Sequence, residues 1–260
     1  MISVITFFTP DKFSSNSLDL VMSGKSFITV VLLSRHAVII MEYVGSRNLH
    51  RLLVELREKT LGKKFFSILV FFLQVRFLGS SWLLLAAKQV ASALAHCHSR
   101  GVLHMDIKPA NILVTSQGVC KVGDFGCSVA TSCTSLPLDH CLVGTPGYQA
   151  PEFLRGQSPS PACDIYSLAI LMWQLDAREI PFSGQHPQAV MFRVVSVGAR
   201  PPPPPSHMAS VRKPAFTSLY KSCWDPNPAS RPSAAQVVDT INKVINIKVE
   251  KSTLKVRSLR

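Results

Sequence analysis

Two short polar stretches, His104-Met105-Asp106-Ile107-Lys108-Pro109-Ala110-Asn111 and Asp124-Phe125-Gly126, constrain this chain more than any other feature. They place two acids and an amide on loops, so a larger scaffold must bring the loops together. Asp106 offers a carboxylate that can receive a proton, Lys108 a nearby cation, and Asn111 and Asp124 hard oxygen ligands suited to magnesium. Phosphoryl transfer asks for that set: an acceptor for the proton of the attacking hydroxyl, positive charge beside the moving group, and a held divalent cation.

A third stretch, Gly144-Thr145-Pro146-Gly147-Tyr148-Gln149-Ala150-Pro151-Glu152, closes the segment that begins at Asp124. Taken in order, the three resemble the catalytic loop, metal-binding turn and activation-segment end of protein kinases. The resemblance implies Asp106 as the base, Lys108 as the cation that steadies the transferred group, Asn111 and Asp124 as the Mg2+ ligands, and ATP with Mg2+ as cofactors. Lys108 two residues after the base, with Thr145 in the Gly-Thr-Pro stretch, resembles the serine/threonine branch. Thr145 therefore joins the catalytic set, and a Ser or Thr hydroxyl of a protein substrate is the expected acceptor. The same resemblance makes His104 and Phe125 structural parts of the loops and pairs Glu152 with Arg231 of Asn227-Pro228-Ala229-Ser230-Arg231-Pro232. It also makes Asp164 an anchor for the catalytic-loop backbone, a scaffold residue and not a catalyst.

Lys121-Val122-Gly123-Asp124-Phe125-Gly126-Cys127-Ser128, the run Lys108-Pro109-Ala110-Asn111-Ile112-Leu113, and Asp164-Ile165-Tyr166-Ser167-Leu168-Ala169-Ile170 with Trp173-Gln174 narrow the likeness. They resemble the Mos proto-oncogene serine/threonine kinases. That resemblance implies a role in the mitogen-activated (MAP) kinase cascade in maturing oocytes, with a MAP kinase kinase as substrate. A cytoplasmic address is the default expectation for a chain whose first residues do not read as a signal peptide, and a monomer is the expected state. Within the catalytic loop Met105 stands where most kinases have an arginine that pairs with a phosphate on the activation segment. A phosphate on Thr131, Ser132, Thr134 or Ser135 would lack that partner, which points to control through protein amount or a binding partner.

The scaffold reads as α+β, a bilobal kinase-like fold with a complete, mainly helical C-lobe and an incomplete β-rich N-lobe. A chain of 260 residues with 47 % hydrophobic content can bury a core of that size. Leu83, Ala87, Val90, Leu94 and Cys97 recur at helical spacing, and Gly101 supplies a left-handed stop before the catalytic loop. Residues 165–175 are apolar nearly all round, which suits a buried central helix. Residues 187–197 begin with proline and end at Gly198. Ser233 and Gln236 form a capping box ahead of the apolar stripe Val237, Val238, Ile241, Val244 and Ile245. The expected division is an N-lobe and hinge remnant at 1–44, a C-lobe at 45–245 and a basic tail at 246–260. Pro201 to Pro205 reads as the proline-bearing connection of the large lobe, with SH3 or WW docking the lesser reading.

The net charge of +13 is scattered along the chain outside the tail, so nucleic acid is not an expected partner. Seven cysteines without a regular framework suit a reducing compartment. His96-Cys97-His98 point to different faces of a helix and do not read as a zinc site.

The amino-terminal third departs from the pattern. Val38-Ile39-Ile40-Met41-Glu42-Tyr43-Val44 resembles a kinase's fifth strand and hinge, with Met41 guarding the adenine pocket and the Glu42 and Val44 backbone facing adenine. Upstream of it there is no glycine-rich phosphate loop and no suitably placed third-strand lysine. Gly24-Lys25-Ser26 fails as a Walker loop because Asp19 occupies the position of the first glycine. Residues 59–81 form an unusual insert, and its apolar run 65–78 is too short, and too interrupted by Gln74 and Arg76, to span a membrane. Residues 1–8 lack the basic leader of a signal peptide. These breaks predict a transcript that differs from this reading upstream of Leu83. They also leave a second reading open, a catalytically impaired kinase-like module that binds partners through its large lobe.

Overall fold

The computed structural model describes residues 2–8, 28–33, 36–42, 48–60, 80–132, 145–204 and 214–257. Its architecture is α+β. Strands β1 (Ile2–Phe8), β2 (Ile28–Leu33) and β3 (His36–Glu42) form an antiparallel sheet in the order β1-β3-β2. The central strand is the one expected to lead into the hinge, and it pairs Val4 with Ile40 on one side and Thr29 with Ile40 on the other. Met41 and Glu42 end this strand, while Val44 and the apolar run 65–78 lie outside the described residues.

Helix α1 (Leu49–Thr60) starts at Asn48, whose Oδ1 accepts the Arg51 N–H at 2.9 Å as an N-cap. Helix α2 (Ser80–Ser99) buries Leu83, Ala87, Val90, Leu94 and Cys97 along one face. It stops where the amides of Arg100 and Gly101 turn back to the carbonyls of Cys97 and His98. Gly101 has φ +71, and a Cβ there would lie 3.1 Å from Thr131 Oγ1. A side chain at this stop would therefore meet both backbone strain and crowding.

Beyond it, two small antiparallel ladders are nested. β4 (Val102–Leu103) pairs with β7 (Val129–Ala130), and β5 (Ile112–Val114) pairs with β6 (Cys120–Val122). The loop 104–111 spans β4 to β5 and the turn 123–128 spans β6 to β7. Each loop is thus clamped at both ends, and the pairing forces the two loops side by side.

A short helix, α3 (Pro151–Leu154), precedes α4 (Pro161–Ala177), in which every residue from Cys163 to Ala177 is buried. Such a helix carries no wet face, so it sits at the centre of the lobe against α2 and α6 (Pro214–Cys223). Each Leu or Ile fully buried there contributes about 1.5–3 kcal/mol relative to exposure. Trp173 of α4 donates its indole N–H to Pro202 O at 2.7 Å, and Pro201 and Pro204 are buried. That part of the proline run is therefore packed against the lobe.

Helix α5 (Pro187–Ser196) has proline at its start and Gly198 with φ +64 just past its end. Helix α7 (Ala234–Arg257) opens with the reciprocal capping bonds Gln236 N to Ser233 Oγ, 3.2 Å, and Ser233 N to Gln236 Oε1, 2.7 Å. It runs on to Arg257, so most of the segment read as a basic tail continues the helix backbone. Among the described residues, no helix is long and apolar enough to cross a membrane.

Candidate active site

The backbone of the 104–111 loop hangs from one carboxylate. Asp164, wholly buried in the first turn of α4, accepts the His104 N–H at 2.9 Å on Oδ2 and the Met105 N–H at 2.8 Å on Oδ1. His98 of α2 adds an Nε2 donor to Oδ2 at 2.8 Å. These bonds hold Met105 at φ +66, a left-handed conformation that an unbranched L-residue adopts only when its surroundings impose it. The Met105 side chain packs into an apolar cluster with Leu103, Val129, Tyr148, Phe153 and Tyr166.

His104 bridges the two loops. Its Nε2 lies 3.0 Å from Gly123 O, which can only accept, so Nε2 carries the proton, and Nδ1 accepts the Asp106 N–H at 3.3 Å. Both ring nitrogens are satisfied in one neutral tautomer. Burial pushes the imidazole pKa below 6.5, outweighing the opposing pull of Asp164. The Phe125 ring packs on His104 with centroids 4.8 Å apart. Gly123 also donates its N–H to Asn111 O at 2.9 Å. It is therefore held on both faces, a role that motif spacing does not disclose.

Asp106 is 7 % exposed, and polar side chains converge on it. Asn111 Nδ2 donates to Asp106 Oδ2 at 2.8 Å and to Asp106 O at 2.9 Å. Lys108 Nζ lies 2.7 Å from Asp106 Oδ2 and donates to Thr145 Oγ1 at 2.8 Å. Thr145 Oγ1 in turn lies 3.4 Å from Asp106 Oδ1. The structure thus brings Asp106, Lys108, Asn111 and Thr145 into one cluster, although Thr145 arrives from a segment far along the chain.

Asp124 sits exposed at φ +56, with Oδ1 accepting the Gly126 N–H at 3.3 Å. A Cβ on Gly126 would lie 3.1 Å from that oxygen, a close approach that the glycine avoids. The donor chemistry fits magnesium. Both amide hydrogens of Asn111 face Asp106, so its amide oxygen remains for a cation, and Asp124 offers a carboxylate.

Glu152 and Arg231 form a two-point pair behind the site, with Nη1 to Oε1 at 2.6 Å and Nη2 to Oε2 at 2.9 Å. The motif that contains Gln174 does not disclose its partner: it accepts the Tyr148 hydroxyl, while Ser167 Oγ donates to Tyr148 O at 2.7 Å. A signal existed: a polar residue in a helix buried all round must find a partner.

Residues 25–241 match the protein kinase domain. The chain is similar to the serine/threonine-protein kinase mos of Xenopus laevis, 33 % identical over 216 residues, covering 79 % of this chain and 54 % of that protein. It is similar to the proto-oncogene serine/threonine-protein kinase mos of Rattus norvegicus, 40 % identical over 146 residues, 56 % of this chain and 43 % of the relative. The serine/threonine-protein kinase mos of Patiria pectinifera is 40 % identical over 157 residues, 58 % of this chain and 44 % of the relative. The chain spans about half the length of these curated relatives.

Proposed function

We propose that this chain, which belongs to the protein kinase family, transfers the γ-phosphoryl group of ATP to a serine or threonine hydroxyl of a protein. One observation carries the reading: Asp106 is held by Asn111, Lys108 and Thr145 in a single hydrogen-bonded cluster. Asp106 orients the acceptor hydroxyl and takes its proton. Thr145 holds the Lys108 ammonium in place, and that charge lies beside the group in transfer. Asn111, through its amide oxygen, and Asp124 would hold the cation. When bound, Mg-ATP supplies the phosphoryl group and the positive charge that offsets its oxygens. The same reading would have Met41 guard the adenine pocket and the backbone of Glu42 and Val44 serve the adenine, Val44 lying outside the described residues. The names of the relatives support a serine/threonine acceptor, and the Mos likeness makes a MAP kinase kinase the substrate to try first, in a cytoplasmic, monomeric enzyme.

The test is phosphoryl transfer from labelled ATP to an inactive MAP kinase kinase, with Asp106→Asn alongside. Transfer by the wild type and its loss in the variant are expected. Robust transfer by Asp106→Asn would falsify the assigned chemistry.

A second reading has its own support. Residues 1–44 contain no Gly-x-Gly-x-x-Gly run and no well-placed third-strand lysine, which favours a partner-binding module with impaired catalysis. Under that reading Mg-ATP leaves the melting temperature of the folded chain unchanged. The catalytic reading requires an upward shift, since a ligand that binds only the folded state stabilises it.

A further inference from the structure

We propose that the outer face of α5 docks an acidic segment of the protein substrate, one that carries an apolar side chain between carboxylates, with Phe192 as the anchor; the inference rests on the kinase reading above. Val190 and Val194 hold α5 to the lobe, packed with Phe182 and against Leu154 and Ala199. Phe192 lies two residues beyond Val190, about 200° around the helix, so its ring points away from that contact. It is 71 % exposed, and Val197, just past the helix end, is 73 % exposed. Ala189 and Ser196, three residues before Phe192 and four after it, share its line on the helix and are both exposed. Their small side chains leave the ring open at both ends. A lone exposed apolar side chain is ordinary, but here the ring comes with charge around it.

Arg193, next along the helix, is exposed and donates to Gln185 Oε1 at 2.6 Å. Arg155, also exposed, reaches the end of α5 and donates to Val195 O at 2.8 Å. Among the described residues neither guanidinium has a carboxylate partner, and residues 180–200 contain no Asp or Glu. Each keeps donors to spare, so the patch suits carboxylates set on either side of an apolar side chain. A second copy of this chain would set the same arginines against one another, and the net charge of +13 adds to that repulsion. The position of the patch fits a substrate. Helix α5 packs against α3 and against the turn Pro146–Tyr148, which follows directly on Thr145 of the Asp106 cluster. A segment held on α5 is therefore tethered on the acceptor side of the site. Docking there raises the local concentration of the hydroxyl without touching the reacting atoms.

The experiment uses the full chain in two measurements, the first without ATP. A fluorescent synthetic peptide of glutamates around two central leucines is titrated with the protein and followed by anisotropy. Phe192→Ser and Arg193→Glu are each expected to weaken binding at least about tenfold, with the melting temperature unchanged because both side chains are exposed. Lys221→Glu, an exposed charge reversal on α6, makes the same change in net charge and should leave binding within about twofold of wild type. Equal losses in Lys221→Glu and Arg193→Glu overturn the proposal, because net charge alone would then attract the peptide. Binding that Phe192→Ser leaves unchanged overturns it too. Phosphatidylserine vesicles and a single-stranded oligonucleotide serve as rival anions, and tighter capture of either that Phe192→Ser abolishes assigns the patch to that surface instead. A wild-type dimer in sedimentation that Phe192→Ser dissolves assigns it to a second copy. The second measurement is transfer to the inactive MAP kinase kinase. Phe192→Ser should raise KM for that protein about tenfold, with kcat and KM for Mg-ATP within about twofold of wild type; an unchanged protein KM overturns the docking role. If the wild type transfers no phosphoryl group, the kinase reading falls on its own, and the peptide titration still decides whether α5 takes an acidic segment.

Discussion

Replacing Arg231 by methionine keeps most of the side-chain volume and removes four hydrogen bonds at once. The guanidinium donates to Glu152 at 2.6 and 2.9 Å, to Ala162 O at 2.8 Å and to Asp225 O at 2.9 Å. Its side chain is 0 % exposed and that of Glu152 is 6 %, so water cannot substitute without opening the lobe. Breaking a buried ion pair from one side costs about 3–5 kcal/mol. Carbonyls that lose their donor add about 1 kcal/mol more, for a total of about 4–6 kcal/mol. Native domains hold only about 5–15 kcal/mol in reserve. At about 2–4 °C per kcal/mol for a domain of this size, the melting temperature should drop by roughly 8–24 °C. The assay is thermal and urea unfolding followed by circular dichroism for the wild type, Arg231→Met, Glu152→Gln and the double variant. Direct coupling predicts that the double variant is more stable than the sum of the two single losses, by at least about 2 kcal/mol. Additivity within about 0.5 kcal/mol would refute the reasoning, because it would mean that the pair contributes nothing beyond its members.

Asp106→Asn should lower kcat about a hundred- to ten-thousandfold with little change in melting temperature, read by single-turnover transfer from labelled ATP. His104 gives a pH signature. Its folded pKa lies below 6.5 through burial, so the unfolded chain binds a proton first as pH falls, and this contribution to stability is complete above 6.5 and shrinks below it. His104→Asn should flatten the fall of the urea midpoint between pH 6.5 and 5 by up to about one proton's worth of slope; an unchanged slope contradicts the buried neutral imidazole. Burial pushes the thiols of Cys97, Cys120, Cys163 and Cys223 up to about 12. Among the described cysteines, iodoacetamide should label half-buried Cys127 first in the folded chain, and peptide mass mapping over time checks the order.

What was legible in the sequence was local. Asp106, Lys108 and Asn111 lie within one loop, so their spacing alone brings them near one another, and the nested ladders only fix the details. Periodicity exposed α2 and α4 because a buried stripe and a helix buried all round leave different patterns in the chain. The caps at Gly101 and at Ser233 with Gln236 were readable for the same reason, since each bond closes within a few residues. The bond from His98 to Asp164, the hold on Gly123 and the Gln174 partner of Tyr148 were not, because each joins segments far apart in the chain. In the sequence Met105 stands out as a missing charge. In the fold it is a buried apolar contact at a strained backbone position, something visible only once Leu103, Val129 and Tyr148 are in place. The extension of α7 to Arg257 escaped because the apolar stripe fades after Ile245 while nothing in the chain stops the helix.

On the proposed kinase reading, Asn111 would serve two tasks at once. Its amide is a rigid plane with hydrogens at one end and an oxygen at the other, and the hydrogen end is taken up entirely by Asp106. A cation held by the oxygen would therefore pull on the same plane that orients Asp106, the proposed proton acceptor. Swapping magnesium for a larger divalent ion should then alter the reaction's response to pH as well as its rate, because ion radius and base orientation share one hinge.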